Sequence, residues 1–306
     1  MEILWSANLQ WVLVSMLFLG MAAGTIGCLS YWKRQSLMSD ALSHAALPGV
    51  VVAFMLLGEK QLPAMIAGAA VSSLLGAFFI QMIRSSSRIK EDTAMGMVLS
   101  VFFGLGIMLV TMVNRTGNGN QSGLDSFIFG QAASMVRKDV FTMLALAALV
   151  LLVVFLACKE WKLFLFDPAF AAGLGLSMRL MNSVYLAVLV LVIVIGIQAV
   201  GVILMAALLI IPPASARYWT KSFRSMLAVA GLFGGGAGVS GTLFSSMGAG
   251  WPTGPFIVLA ASFLFLISLV FGVEKGLLVR AFQLWIQRRR LAESETAIIG
   301  TGVKRG

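Results

Sequence analysis

Charge is what this sequence has least of. Only 11% of its 306 residues are Asp, Glu, Lys or Arg, where a soluble domain carries about 25%. That shortage excludes an ordinary water-soluble enzyme, because 59% of the chain is hydrophobic and its surface would be largely apolar. It also excludes disorder, which needs low hydrophobicity and high charge. Histidine occurs once, at His44, so one chain cannot build a multi-histidine active site. The two cysteines, Cys28 and Cys158, are far apart in or beside apolar segments. They offer neither a disulfide framework nor a metal knuckle. No G-x-x-x-x-G-K-[ST], G-x-S-x-G or H-E-x-x-H occurs, so this chain has no P-loop for ATP and no such hydrolase motif. The expectation is a non-enzyme without a bound prosthetic group.

What is present is apolar length. Residues 3–32, 41–58, 61–83, 93–114, 140–158, 180–216 and 225–273 contain no Asp, Glu, Lys or Arg. A membrane-crossing helix needs about 20 residues, so the first five runs hold one helix each. The last run breaks at Gly248-Ala249-Gly250-Trp251-Pro252 and holds two. The 180–216 run turns near Gln198 to Gly201, and its second, short helix ends around Pro212-Pro213. The reading is all-α and polytopic, with about eight or nine transmembrane helices. The spans fall near 9–31, 37–58, 62–83, 93–113, 140–158, 180–198, 201–216, 226–247 and 254–273. Residues 1–274 form the transmembrane domain and 275–306 a basic tail.

The net charge of +10 points to membrane topology rather than to nucleic acid, because the positive residues sit between apolar runs. Basic residues concentrate on the cytoplasmic side of membrane proteins. With nine spans and the N-terminus outside, only Lys60, Arg115, Arg137 and Lys138 of the 22 basic residues face outward. That arrangement places the C-terminus in the cytoplasm. Within the tail, residues 275–290 suit a helix lying on an anionic lipid surface, or a plain positive-inside stop.

An ionisable residue inside a span is costly and marks function by default. Two occur together in Ser39-Asp40-Ala41-Leu42-Ser43-His44. Asp40 and His44 are four residues apart, so a helix puts them on one face about one turn apart. Oxygen plus imidazole suits Mn²⁺, Fe²⁺ or Zn²⁺. Two ligands are too few, but a symmetric dimer supplies four, with Ser39 and Ser43 as supporting candidates. The competing reading makes Ser39 and Asp40 the N-cap of a helix that starts there. If the helix starts near Ser36 instead, His44 lies about 12 Å along it and approaches mid-membrane. Pro48-Gly49, one turn on, favours a kink or a break.

Three segments in order, SDALSHAALPG (39–49), FDPAFAAGLGLS (166–177) and GVILMAALLIIPPASAR (201–217), resemble the membrane permease subunits of bacterial manganese/zinc/iron ABC importers. The similarity extends to about residue 273. It implies the ABC importer permease fold of the metal-chelate type, in the bacterial cell membrane. It implies a divalent metal (Mn²⁺ or Zn²⁺) as substrate, with manganese weakly favoured by the hard Asp ligand and the lack of Cys. The implied partners are a second permease subunit (homo- or heterodimer), two cytoplasmic ATP-binding subunits and an extracellular solute-binding lipoprotein. Asp40 and His44 match the family's metal-coordinating pair. Asp167, Pro168, Ala171 and Gly175 match the loop that docks into the ATPase. Where family members often carry Glu after Asp-Pro and a base nearby, this chain has Ala169 and Ala172. The alternatives are a permease for a metal chelate such as a siderophore, an ATP-independent divalent-metal channel or carrier, and an integral-membrane scaffold.

Overall fold

The computed structural model describes residues 7–57, 61–115, 130, 135, 137–248, 251–279, 283 and 287. Most of the basic tail therefore lies outside the described residues. The regular elements among the described residues are α-helices, in chain order α1 (Ala7–Trp32), α2 (Ser36–Leu57), α3 (Leu62–Ser86), α4 (Glu91–Arg115), α5 (Arg137–Leu156), α6 (Cys158–Phe166), α7 (Pro168–Gly173), α8 (Met178–Val200), α9 (Val202–Ala216), α10 (Phe223–Ser246) and α11 (Thr253–Phe271).

Eight of these helices are long and apolar enough to cross a bilayer. The helix α9 has 15 residues, a rise of about 22 Å against an apolar core of about 30 Å. It starts where Gly201 adopts φ +94°, ending α8. It runs through Pro212-Pro213 to Ala216, close to the expected span 201–216, with both prolines inside the helix rather than at its end. Membrane helices tolerate proline because neighbouring groups satisfy the backbone it frees.

The buried centre is α1 and α8. The helix α1 packs against α10, α5 and α9, and α2 is flanked by α3 and α4. Small residues set these approaches, as lipid-embedded helix pairs require. Gly20 of α1 and Gly234 of α10 are close enough that a methyl on either would meet the other's carbonyl. The outward faces are apolar too: Phe78 of α3, Val101 and Met108 of α4 and Phe263 of α11 are exposed. Exposed apolar surface on that scale suits a lipid solvent, not water.

The joint between α1 and α2 is short because the chain reverses in a Schellman motif. Arg34 sits in the left-handed region at φ 59°. Its N–H bonds the Tyr31 carbonyl at 3.1 Å, and the Gln35 N–H bonds the Ser30 carbonyl at 2.9 Å. These bonds satisfy carbonyls at the end of α1 and launch α2 at Ser36.

Candidate functional site

Because α2 begins at Ser36, Asp40 lies in its second turn. The reading of Ser39 and Asp40 as an N-cap is excluded. His44 then stands about 12 Å along the helix. Of the kink or break expected at Pro48-Gly49, the break does not occur: α2 is continuous to Leu57 with Pro48 inside it. Pro48 has no N–H to donate to the His44 carbonyl, but α3 holds the strand of carbonyls on either side. The Ser73 hydroxyl donates to the Leu42 carbonyl at 3.0 Å, and the Ser72 hydroxyl donates to the Ala45 carbonyl at 2.6 Å. Gly49 faces Gly68 of α3 so closely that a Cβ on it would lie 2.0 Å from the Gly68 carbonyl oxygen. Thus α3 clamps the back of α2, and the Asp40–His44 face is left half open.

On that face His44 Nε2 lies 3.4 Å from Asp40 Oδ1, with the two side chains 14% and 34% exposed. The gap is long for a hydrogen bond. It matches the separation of two ligands on one ion: atoms about 2.1 Å from a tetrahedral centre lie about 3.4 Å apart. The His44 ring meets the edge of Phe103 on α4 at a centroid distance of 4.8 Å, which fixes its orientation. Its Nδ1 is buried without a hydrogen-bond partner. Ser39 and Ser43 are fully buried on the packed side. The Ser43 hydroxyl donates to the Ser39 carbonyl at 2.7 Å, and the Ser39 hydroxyl is unpartnered. Among the described residues no cluster of three or more His, Cys, Asp or Glu is arranged to hold a metal ion. Within one chain Asp40 and His44 thus stand as a pair with no third such residue grouped with them.

The second predicted site is at the end of α6. Asp167 caps α7: its Oδ1 accepts the Phe170 N–H at 3.0 Å, and Pro168 takes the first helical position, where its missing N–H costs nothing. At the other end the Gly175 N–H bonds the Ala172 carbonyl at 3.0 Å and the Leu176 N–H bonds the Ala171 carbonyl at 3.1 Å. Gly175 has φ +86°. This is a second Schellman motif, whose C′ position favours glycine. The Asp-x3-Ala-x3-Gly spacing thus encodes a capped six-residue helix, with Ala171 as its buried side and Gly175 as its stop. Its outer surface is Phe170 and Leu174, both more than half exposed. Sequence reasoning missed these two. Their signal was an apolar pair at i and i+4 between a cap and a glycine stop.

A chain of contacts joins this loop to the α1–α2 joint. The Phe166 ring meets Trp32 edge-on at 4.8 Å. Lys33 Nζ lies 4.2 Å from the Tyr185 ring centre and 5.3 Å from that of Phe164, and it donates to Asn182 Oδ1 at 2.6 Å. Burial pushes the Lys33 pKa down to about 8; Arg84 adds to the effect and Glu91 opposes it. Glu91 opens α4 as its dipole favours. It also pairs with Arg84 at 3.3 Å and accepts a hydrogen bond from Gln35. Asn182, Lys33, Gln35 and Glu91 thereby tie α8 and α4 to the α1–α2 joint, just before α2 begins.

A family model described as the ABC 3 transport family matches residues 6–272. The chain is 47% identical to the manganese transport system membrane protein MntC of Bacillus subtilis, over 95% of this chain and 67% of that protein. It is 43% identical to the zinc transport system membrane protein TroC of Treponema pallidum, over 92% and 94% of the two. Among solved structures, PsaBC from Streptococcus pneumoniae in complex with Fab superposes with a TM-score of 0.79 at 33% identity. That match covers 92% of this chain and 97% of that one.

Proposed function

The chain belongs to the ABC 3 transport family, and from that premise we propose that it is the permease subunit of an ATP-driven importer carrying a divalent transition metal into the cytoplasm. Manganese is the favoured cargo and zinc or iron the next. The names of the two relatives, one a manganese and one a zinc system, support the class of ion. One Asp with one His, and no thiolate beside them, leans to the harder ion.

The observation that carries the reading is the Asp40–His44 pair, 3.4 Å apart on the half-open face of α2. Two copies of this chain, or this chain and a similar subunit, bring two such pairs together and complete a four-ligand shell. The ion arrives from an extracellular solute-binding lipoprotein. It is held between the two α2 helices and leaves inward when two ATP-binding subunits close on the loop 166–177. Closure pushes on Phe170 and Leu174. The push passes through Phe166 and Trp32, and through Phe164 and Lys33, to the start of α2. Nine crossings, with α9 counted as one, put the N-terminus outside and this loop in the cytoplasm. Residues 1–274 do the transport, and the basic tail 275–306 follows on the cytoplasmic side.

The test is uptake of radiolabelled Mn²⁺ and Zn²⁺ in cells that carry Asp40→Ala or His44→Ala at normal membrane levels. Loss of one ligand from each of two chains should lower uptake at limiting metal by about tenfold or more. Near-normal uptake sinks the assignment and favours a chelated substrate. Asp167→Arg should uncouple ATP hydrolysis from transport, and full coupling in that variant counts against the docking loop.

A further inference from the structure

Away from the metal pair, a cleft of about 700 Å³ opens at the end of the bundle that carries the 166–177 loop. That volume is typical of small-ligand sites. Its floor is Met21 and Thr25 of α1, and its walls are Val154 of α5 and Leu227 of α10. The rim residues Phe155 and Leu156 are 79% and 68% exposed, so the cleft opens on a surface suited to acyl chains.

Two cations, Lys159 and Arg224, complete the lining. Each stands at the second residue of its helix, Lys159 on α6 and Arg224 on α10. A cation at the positive end of a helix dipole is unfavourable, and an anion there is favoured. Neither is in an ion pair among the described residues, and Glu160, the next residue to Lys159, does not line the cleft. An apolar slot that ends in two unneutralised cations and two helix N-termini is complementary to one kind of molecule: an acyl chain joined to an anionic head. Basic pockets at the ends of membrane helices recognise such lipids.

We propose that this cleft binds an anionic phospholipid, with an acyl chain between α5 and α10 and its phosphate on Lys159 and Arg224. The bound lipid braces the start of α6, and so the loop that follows it. The inference rests on membrane embedding and not on which metal is carried.

The wild-type chain supplies its own probe. Cys158 lines the cleft, whereas Cys28 is fully buried, so an uncharged maleimide reports whether the cleft is filled. The protein is reconstituted in vesicles of phosphatidylcholine, or of phosphatidylcholine and phosphatidylglycerol in equal parts. Each cation near an anionic head contributes about a fivefold preference, so the pair gives about thirtyfold. Labelling of Cys158 should be several-fold slower in the anionic vesicles. The variant Lys159→Gln/Arg224→Gln should lose that difference while matching the wild type in phosphatidylcholine. Equal labelling of the wild type in both lipids overturns the proposal. So does a difference that survives in the variant, or equal protection by inorganic phosphate added to phosphatidylcholine vesicles. If the variant does not assemble, lipid retained by the wild type in detergent decides: phosphatidylglycerol kept over phosphatidylcholine is expected, and equal retention refutes.

Discussion

Gly49→Ala is the most exacting test of how α2 is held. The added methyl would sit 2.0 Å from the Gly68 carbonyl oxygen, 2.6 Å from the Gly68 carbonyl carbon and 2.6 Å from Ser72 Cβ. Two of these neighbours are backbone, so no side chain can turn aside. Relief requires α2 and α3 to part by roughly 1 Å or more, and a close-packed interior resists that. Overpacking of this kind costs about 1–3 kcal/mol, and backbone on the far side puts it near the upper end. The same substitution has a built-in control on α4. A methyl at Gly96 or Gly104 meets nothing within 4 Å, and alanine in a helix interior gains about 0.5–1 kcal/mol over glycine. The helix term favours alanine at both kinds of site, so the two classes should differ by the overpacking cost, about 3 kcal/mol at its upper end. Thermal unfolding in detergent reads the difference. Separation of α2 from α3 also breaks the Ser72 and Ser73 bonds to α2 carbonyls, so metal uptake should fall in Gly49→Ala and persist in Gly96→Ala. If Gly49→Ala is as stable as Gly96→Ala, the clamp described for α2 is wrong.

Three further outcomes follow from the geometry. Asp167→Ala removes the cap of an exposed six-residue helix, worth about 1 kcal/mol; amide exchange at Phe170 should quicken about fivefold while the midpoint of global unfolding stays put. Lys33 titrates in the folded chain at about 8 against an ordinary 10.5. Between those values the unfolded chain binds more protons than the folded one, so stability should rise with pH across that window, and below about 8 the burial penalty stands in full. Lys33→Met should flatten that rise in melting scans at pH 7.5 and 9.5, and a slope unchanged in the variant would show that another group supplies it. Trp32→Ala should weaken the link from loop to bundle, lowering transport per ATP hydrolysed with little change in metal affinity; an affinity loss equal to the transport loss would place Trp32 elsewhere in the cycle.

Much of the architecture was legible because lipid imposes simple rules. A helix must satisfy its own backbone in the bilayer, so long uncharged runs announce helices whatever their detailed sequence. The Asp167-Pro168 cap is legible for the same kind of reason, being a local hydrogen-bond requirement, whereas either Gly173 or Gly175 could serve as the stop and the structure uses Gly175. The start of α2 was not. Ser36 and Ser39 are both acceptable caps, and the choice was made by the Arg34 turn that ends α1. Nor was the fate of Pro48 legible, because a proline removes one helix hydrogen bond and only the packing around α2 decides that the helix runs on through it.

By itself the sequence determined that this is a multi-pass helical membrane protein, and that its one carboxylate–imidazole pair stands four residues apart in or beside a span. Composition and spacing suffice for both, because burial in lipid and the pitch of a helix are local properties. Only the tertiary structure decided that Asp40 and His44 are inside α2 rather than at its end, that their face is half open while both serines are packed away, and that Phe166, Trp32 and Lys33 link the 166–177 loop to the start of that helix. Those facts depend on which helices lie side by side, and contacts between residues more than a hundred positions apart leave no mark in any one segment.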